Sequence, residues 1–310
     1  SRDFYRDRLW RGAWMSLLMQ SPSGECPTGG RSAQHIWNEA QTAVTCELFA
    51  AQYARHAAAP RALAKAGAFK RAAHLALGGI ERWLRPDGSG FVVKNRYPIE
   101  ARHGYERYSA QSQYNLLACW LLAVAYLYSD DTIPERPAPA DLGGFVVPLT
   151  ADFHKVFANV KGNYVEYETA GDLRYNPTGL IRVHLRGGNP QLGPSDGVVH
   201  RFDPATKADL GGENLAIGTA WRDAAGNWHR LADYSPRQPP AVQVLEESPD
   251  KVAFAVTYTG DFDGATRIQE TITLTAGGVT VRSSVAGPEI GSIRMYYPML
   301  VFDGLEETQV

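Results

Sequence analysis

The feature that most constrains this chain is a change of hydrophobic period at the proline-bearing stretch Asp131–Asp141, which carries Pro134, Pro137 and Pro139. Before it, apolar side chains recur at the spacing of helices. After it, they alternate in short runs between turn residues, as strands with one buried face do. Helices followed by strands, without βαβ alternation, make an α+β chain of two parts. The length of 310 residues suits about two domains at roughly 150 residues each. The expected division is a helical part over 1–130, a linker over 131–142 and an antiparallel β-domain over 143–310.

Asp3 to Gln20 reads as an amphipathic helix with Phe4, Trp10, Trp14, Leu17 and Leu18 on its stripe. The Pro- and Gly-bearing segment Ser21–Gly30 ends it. Ser32 reads as the N-cap of a second helix running to His56, and a third runs from Arg61 to Leu84 with Leu63, Phe69, Ala73, Leu77, Ile80 and Trp83 inward. A fourth runs from Tyr108 to Tyr128. Long, alanine-rich helices joined by loops read as stacked helical hairpins. The expected fold is therefore α+β multidomain: N-terminal (α/α) toroid-type hairpins followed by a large antiparallel β-sandwich. Four helices make only part of a toroid, so further helices before Ser1 and further strands after Val310 are expected in the complete protein.

Expected strands are Phe145–Leu149, His154–Val160, Tyr164–Thr169, Leu180–Leu185, Ala216–Arg222, Ala241–Glu246, Val252–Thr259, Thr266–Thr275, Val279–Val285 and Ile293–Val301. The run Arg186–Leu215, rich in Gly and Pro, reads as a long ordered loop.

With 31 basic and 33 acidic side chains the formal charge is 31 − 33 = −2, which lacks the basic footprint of a general nucleic-acid binder. The longest apolar run, Leu116–Tyr128, falls short of the about 18 residues a membrane span needs. The chain opens Ser1-Arg2-Asp3 without the basic, apolar and small-residue succession of a secretory leader. Cys26, Cys46 and Cys119 are scattered, with neither disulfide nor metal spacing; Cys46 and Cys119 read as small buried hydrophobes. No His spacing suggests zinc and no cofactor is expected.

The richest chemistry lies in Pro86–Asn115, a stretch between two helical runs that carries Asn95, Arg96, Tyr97, Glu100, Arg102, His103 and Tyr105 and enters the fourth helix at Tyr108. Loops held by a rigid scaffold are where binding and catalytic groups collect. Glu25 to Glu39 is a second polar region, and in stacked hairpins the starts of alternate helices share one end of the array. Arg31, Gln34, His35 and Asn38 are then expected to oppose Asn95, Arg96, His103, Tyr105, Tyr108 and Tyr114. That set suits β-elimination at a uronic acid. The C5 proton becomes removable when amide or cationic groups neutralise the neighbouring carboxylate. A His or Tyr then takes the proton, and a Tyr protonates the departing glycosidic oxygen.

Pro86-Asp-Gly-Ser89 followed by Glu106-Arg-Tyr-Ser-Ala-Gln-Ser-Gln-Tyr-Asn115 resembles heparinase II/III-type and related toroid polysaccharide lyases. Gln34-His35 matches their upstream His preceded by amides. Asn115 departs from the His common at that place, and the upstream double-Asn motif is absent. The resemblance implies Tyr114 as base or acid, His35 as its partner and Asn38 or Gln34 as carboxylate neutraliser; His103 and Tyr108, read from the polar stretch itself, are further acid–base candidates. It also implies an anionic glycan as substrate, and that substrate class in turn suggests a secreted or periplasmic setting, since polymeric glycans lie outside the cytoplasm.

Two other classes compete. A hydrolase of glucuronic acid needs a carboxylate pair, and Glu25, Glu39, Glu100 and Glu106 are the candidates, with Asp87 beside them. A non-catalytic carbohydrate-binding protein would use the aromatic side chains, 11% of the chain, as stacking platforms. Bland readings attach to each residue as well: Tyr114 as core, His35 as a helix-end hydrogen-bonder, His74 as a mid-helix structural residue. His184 and His200 are the histidines of the β-region considered for a cleft.

Overall fold

The computed structural model describes residues 2–30, 32–55, 60–88, 92–94, 112–190, 198–203 and 208–297. They fall into two compact units, a helical one ending at Leu142 and a β-unit from Gly143 onward that also includes Thr28–Arg31. Asp131–Leu142 belongs with the helices: Ile133 and Ala138 are buried among them, and Arg136 N–H donates to the Gly67 carbonyl at 3.1 Å. Gly67 permits this approach, since a Cβ there would meet the Pro134 carbonyl oxygen at 2.5 Å.

The helical unit contains α1 (Arg2–Met19), α2 (Trp37–Ala54), α3 (Pro60–Glu81), α4 (Ser112–Tyr128) and the single turn α5 (Pro139–Leu142). Ala40, Ala43, Cys46 and Ala50 line one fully buried face of α2, and Ala66, Ala72, Ala73 and Ala76 do the same on α3. Small side chains at these spacings let two helices pack closely along their length. Burial pushes the Cys46 thiol well above its ordinary range, so it acts as a small hydrophobe. The expected toroid of helical hairpins is not what forms. Among the described residues only four helices exceed one turn, and α2 packs against both α3 and α4. Periodicity reports which face a helix buries and leaves open how many partners share it.

Other expectations shift too. Ser32 is no N-cap: its φ is +64°, and the chain from Gln34 to Ile36 pairs with residues 92–94 before α2 begins at Trp37. Ile36 N–H donates to the Val92 carbonyl (2.7 Å) and Lys94 N–H to that of Gln34 (2.8 Å), a pairing with residues far along the chain. On α1 only Ala13 and Leu17 are buried, while Phe4 is exposed. Cys119 is exposed rather than core, on an α4 surface that also shows Leu116, Trp120 and Leu127. Among the described residues no helix is long and apolar enough to cross a membrane.

In the β-unit, β1 (Gly143–Leu149), β2 (Lys155–Val160), β3 (Asn163–Glu168) and β4 (Gly179–His184) form one antiparallel sheet in that order. A second sheet has the order β12 (Gly278–Ala286), β11 (Ala265–Thr275), β10 (Lys251–Phe262), β9 (Ala241–Glu247). Their facing side chains make one core: Val156, Val165, Tyr167 and Leu180 meet Phe254, Val256, Ile268 and Ile272. A three-stranded sheet, β13 (Ser292–Tyr296), β7 (Gly218–Arg222), β8 (Trp228–Arg230), contributes Trp221 to it. The run expected as a loop, Arg186–Leu215, contains a hairpin of β5 (Val198–Asp203) and β6 (Ala208–Asn214). The turn Asp263-Gly264 has both φ values positive, 47° and 94°, the type I′ geometry that matches strand twist.

Candidate functional site

Of the residues singled out above, Arg31, Asn95, Arg96, Glu100, His103, Tyr105, Glu106 and Tyr108 lie outside the described residues, as does the larger part of Ser89–Gln111. Gln34, His35, Asn38, Glu25, Glu39 and Tyr114 are described, and all belong to the helical unit.

His35 is buried, held by the backbone bridge between its own residue and Val93. Tyr114, in the first turn of α4, is half-buried against the same apolar cluster of Ile36, Ile80, Trp83 and Val92. Their ring centroids are 6.3 Å apart, with the planes tilted by 31°. The structure thus brings together two side chains 79 positions apart, one from a bridged segment and one from a helix start. Asn38 sits at the opening of α2, where its side-chain amide donates to the carbonyls of Ser32 (2.8 Å) and His35 (2.9 Å). That ties down the backbone carrying His35, so Asn38 acts as the clamp on the imidazole's position.

The carboxylates have other duties. Glu39 is fully buried, pairs with Lys94 Nζ at 3.1 Å and accepts the Cys26 N–H at 3.0 Å. Glu25 is buried 3.9 Å from the Arg82 guanidinium, which also donates to the Ser23 carbonyl. Gly24 lets this loop lie directly on α3, because a Cβ there would fall 1.7 Å from the Leu75 carbonyl oxygen. Both carboxylates are thus committed within loop-to-helix ties, which anchors them. His74, expected as structural, is half-exposed on α3, with Nδ1 2.5 Å from Glu135.

The β-unit holds a polar layer beyond the residues singled out from the sequence. On β3, Val165 and Tyr167 face the core while Tyr164, Glu166 and Glu168 face the other way, yet all are buried. Glu166 accepts from Arg182 (2.9 Å), from the Tyr164 hydroxyl (3.0 Å) and from the Thr28 N–H (2.7 Å). Glu168 pairs with Lys155 at 2.5 Å and accepts from Asn176, whose carbonyl oxygen takes the Gly30 N–H at 3.0 Å. Burial pushes the Glu168 carboxyl up, and Lys155 opposes that. His184 is buried beside the Tyr164 ring. The alternation Tyr164-Val-Glu-Tyr-Glu168 was the available signal: it puts two carboxylates on one strand face, and a strand buried on both sides demands cations opposite.

Glu270 is the other unanticipated group. It lies at an inward position of β11 between Ile268 and Ile272, fully buried. It accepts from Tyr167 (2.6 Å), from Thr219 through both N–H (2.8 Å) and hydroxyl (2.7 Å), and from Ser283. Burial raises its carboxyl above the usual range, against the pull of these hydroxyls.

Among the described residues no group of three or more His, Cys, Asp or Glu is placed to hold a metal ion. Comparison with protein families, with curated proteins and with solved structures finds no match.

Proposed function

We propose that this chain is a carbohydrate-active enzyme that cleaves uronic-acid-containing glycans by β-elimination, with Tyr114 as the group that moves the proton and His35 as its partner. The observation that carries the reading is the approach of the two rings to 6.3 Å, one half-buried and one buried behind a backbone bridge. A phenol at the accessible position with an imidazole near it can take a proton and return it to a leaving oxygen. The likeness of Pro86–Asn115 to heparinase II/III-type lyases supports the substrate class. The commitment of Glu25 and Glu39 to buried ties favours this chemistry over hydrolysis by that pair, since neither is positioned to flank a glycosidic bond.

The test is incubation with uronate polysaccharides while following the ultraviolet absorbance of the conjugated C4–C5 double bond. Tyr114→Phe is expected to lower turnover about 100-fold or more, as loss of a positioned acid–base group does, with binding retained. Depolymerisation without the absorbance would replace elimination by hydrolysis. Unchanged turnover in the variant would remove Tyr114 from the chemistry.

A further inference from the structure

The β-unit carries a cavity of about 330 Å³, lined by Tyr234, Arg237, Gln238, Tyr258, Asp261 and Phe262 among others. Its size falls within the roughly 300–1,000 Å³ of small-ligand pockets. One wall is opened by an irregularity in β10, where the register with β11 shifts between Thr259 and Phe262 and Gly260 adopts φ +152°. Bulges of this kind re-aim side chains next to binding sites.

The aromatic wall is fixed in advance. The Tyr234 hydroxyl donates to Asp263 (2.5 Å) and lies 3.2 Å from His229 Nδ1, whose Nε2 meets Asp223 at 2.9 Å. The bond from His229 holds the Asp223 carboxyl down at about 2. Trp221 stacks on both Tyr234 (5.5 Å) and His229 (5.9 Å), and its indole N–H donates to the Phe262 carbonyl at 3.1 Å. Phe262 meets the Tyr234 ring edge-on at 5.7 Å. The Tyr234 ring is thereby determined from three sides before any ligand arrives.

The rim is chemically open. Arg237, Gln238 and Asp261 are exposed, and neither Arg237 nor Asp261 has an ion-pair partner among the described residues. In this set the guanidinium supplies donors, the carboxylate acceptors and the primary amide one of each kind, all in planar groups. An anion would be opposed by Asp261, a cation by Arg237. A ring bearing several neutral hydroxyls satisfies all three groups, because each hydroxyl both donates and accepts. Its C–H face suits the aromatic wall.

We infer that this cavity is a carbohydrate-binding site that takes one neutral sugar ring of a glycan chain against Tyr234 and Phe262, with Arg237 and Asp261 holding vicinal hydroxyls. The site lies within the β-unit and does not require the β-elimination chemistry, although both readings share a glycan ligand.

Titration calorimetry of the full chain with a panel of neutral tetrasaccharides is expected to give millimolar or tighter binding to at least one. Arg237→Ala and Asp261→Ala are expected to weaken it about tenfold or more, with unchanged circular dichroism, since truncating an anchoring polar contact has effects of that order. No binding to any member of the panel, or binding indifferent to both variants, would overturn the proposal. Absence of turnover on every uronate glycan, together with binding that Arg237→Ala abolishes, would remove the chemical reading and keep this one. Turnover on uronates without such binding would do the reverse.

Discussion

The helical unit and the inter-sheet core of the β-unit bury carboxylates in opposite ways. In the helical unit, Glu47 meets Lys70 at 3.0 Å, and Asp131 reaches the same ammonium at 3.3 Å. Glu39 likewise has Lys94. In the core of the β-unit, Glu270 is met by two hydroxyls and a backbone N–H at 2.6–2.8 Å, with Ser283 further out, and no cation among the described residues pairs with it. A buried carboxylate with its own ammonium is hurt by losing its partner. A carboxyl buried without a cation is pushed toward its protonated form by burial, against the hydroxyls that donate to it.

The largest effect expected from this contrast is on the ion pair. Lys70→Met leaves Glu47 buried without its lysine and should destabilise the chain by about 3–5 kcal/mol in denaturant unfolding, whereas Lys70→Met with Glu47→Leu should recover most of that loss. A double variant as unstable as the single one would show that packing, not charge, sets the cost. A smaller and pH-dependent effect is expected at Glu270. Its folded pKa is raised above the unfolded value, so its contribution to stability is full below the unfolded pKa and is lost as pH rises through the folded one. Glu270→Gln should therefore match the wild type in acid and exceed it in alkali, read as the difference between two stability–pH curves. A gap that widens toward acid would reverse the assignment. The smallest effect belongs to Arg71, half-exposed and paired with Asp141 at 3.0 Å: Arg71→Ala should cost only about 0.5–1 kcal/mol.

The same contrast shows what the sequence makes legible. The switch of period at Asp131–Asp141 locates the boundary between helices and strands, because side-chain spacing is a local property. Strand positions were readable for the same reason, β11 above all, where Thr266–Thr275 alternates without a break. That alternation also puts Glu270 on the inward face, a signal overlooked because a lone carboxylate among isoleucines looks like noise until its partners from β3, β7 and β12 arrive. Those partners sit 103, 51 and 13 residues away. The arrangement of the helices was not legible: alanine stripes say that α2 and α3 pack closely, not that they belong to a ring. The start of α2 was misplaced because Ser32 has the composition of a cap, while pairing with residues 92–94 decided its geometry. Of the candidate site, the nearness of the His35 and Tyr114 rings agrees with the expected opposition of the two polar stretches, but the commitment of Glu25 and Glu39 to anchoring was not legible, since Lys94 and Arg82 lie more than 40 residues from them.

The bond from the Thr28 N–H to Glu166 bears on the order of events in folding. It spans 138 residues, and Gly30 reaches Asn176 across 146. Contacts of such separation carry a loop-closure entropy that must be met before they reward the chain, and they slow the search. During synthesis, residues 28–30 emerge long before β3 exists to receive them. The polar layer of the β-unit therefore closes late, around a piece of backbone that has waited for it, and a chain halted before Glu166 would hold that piece without either acceptor.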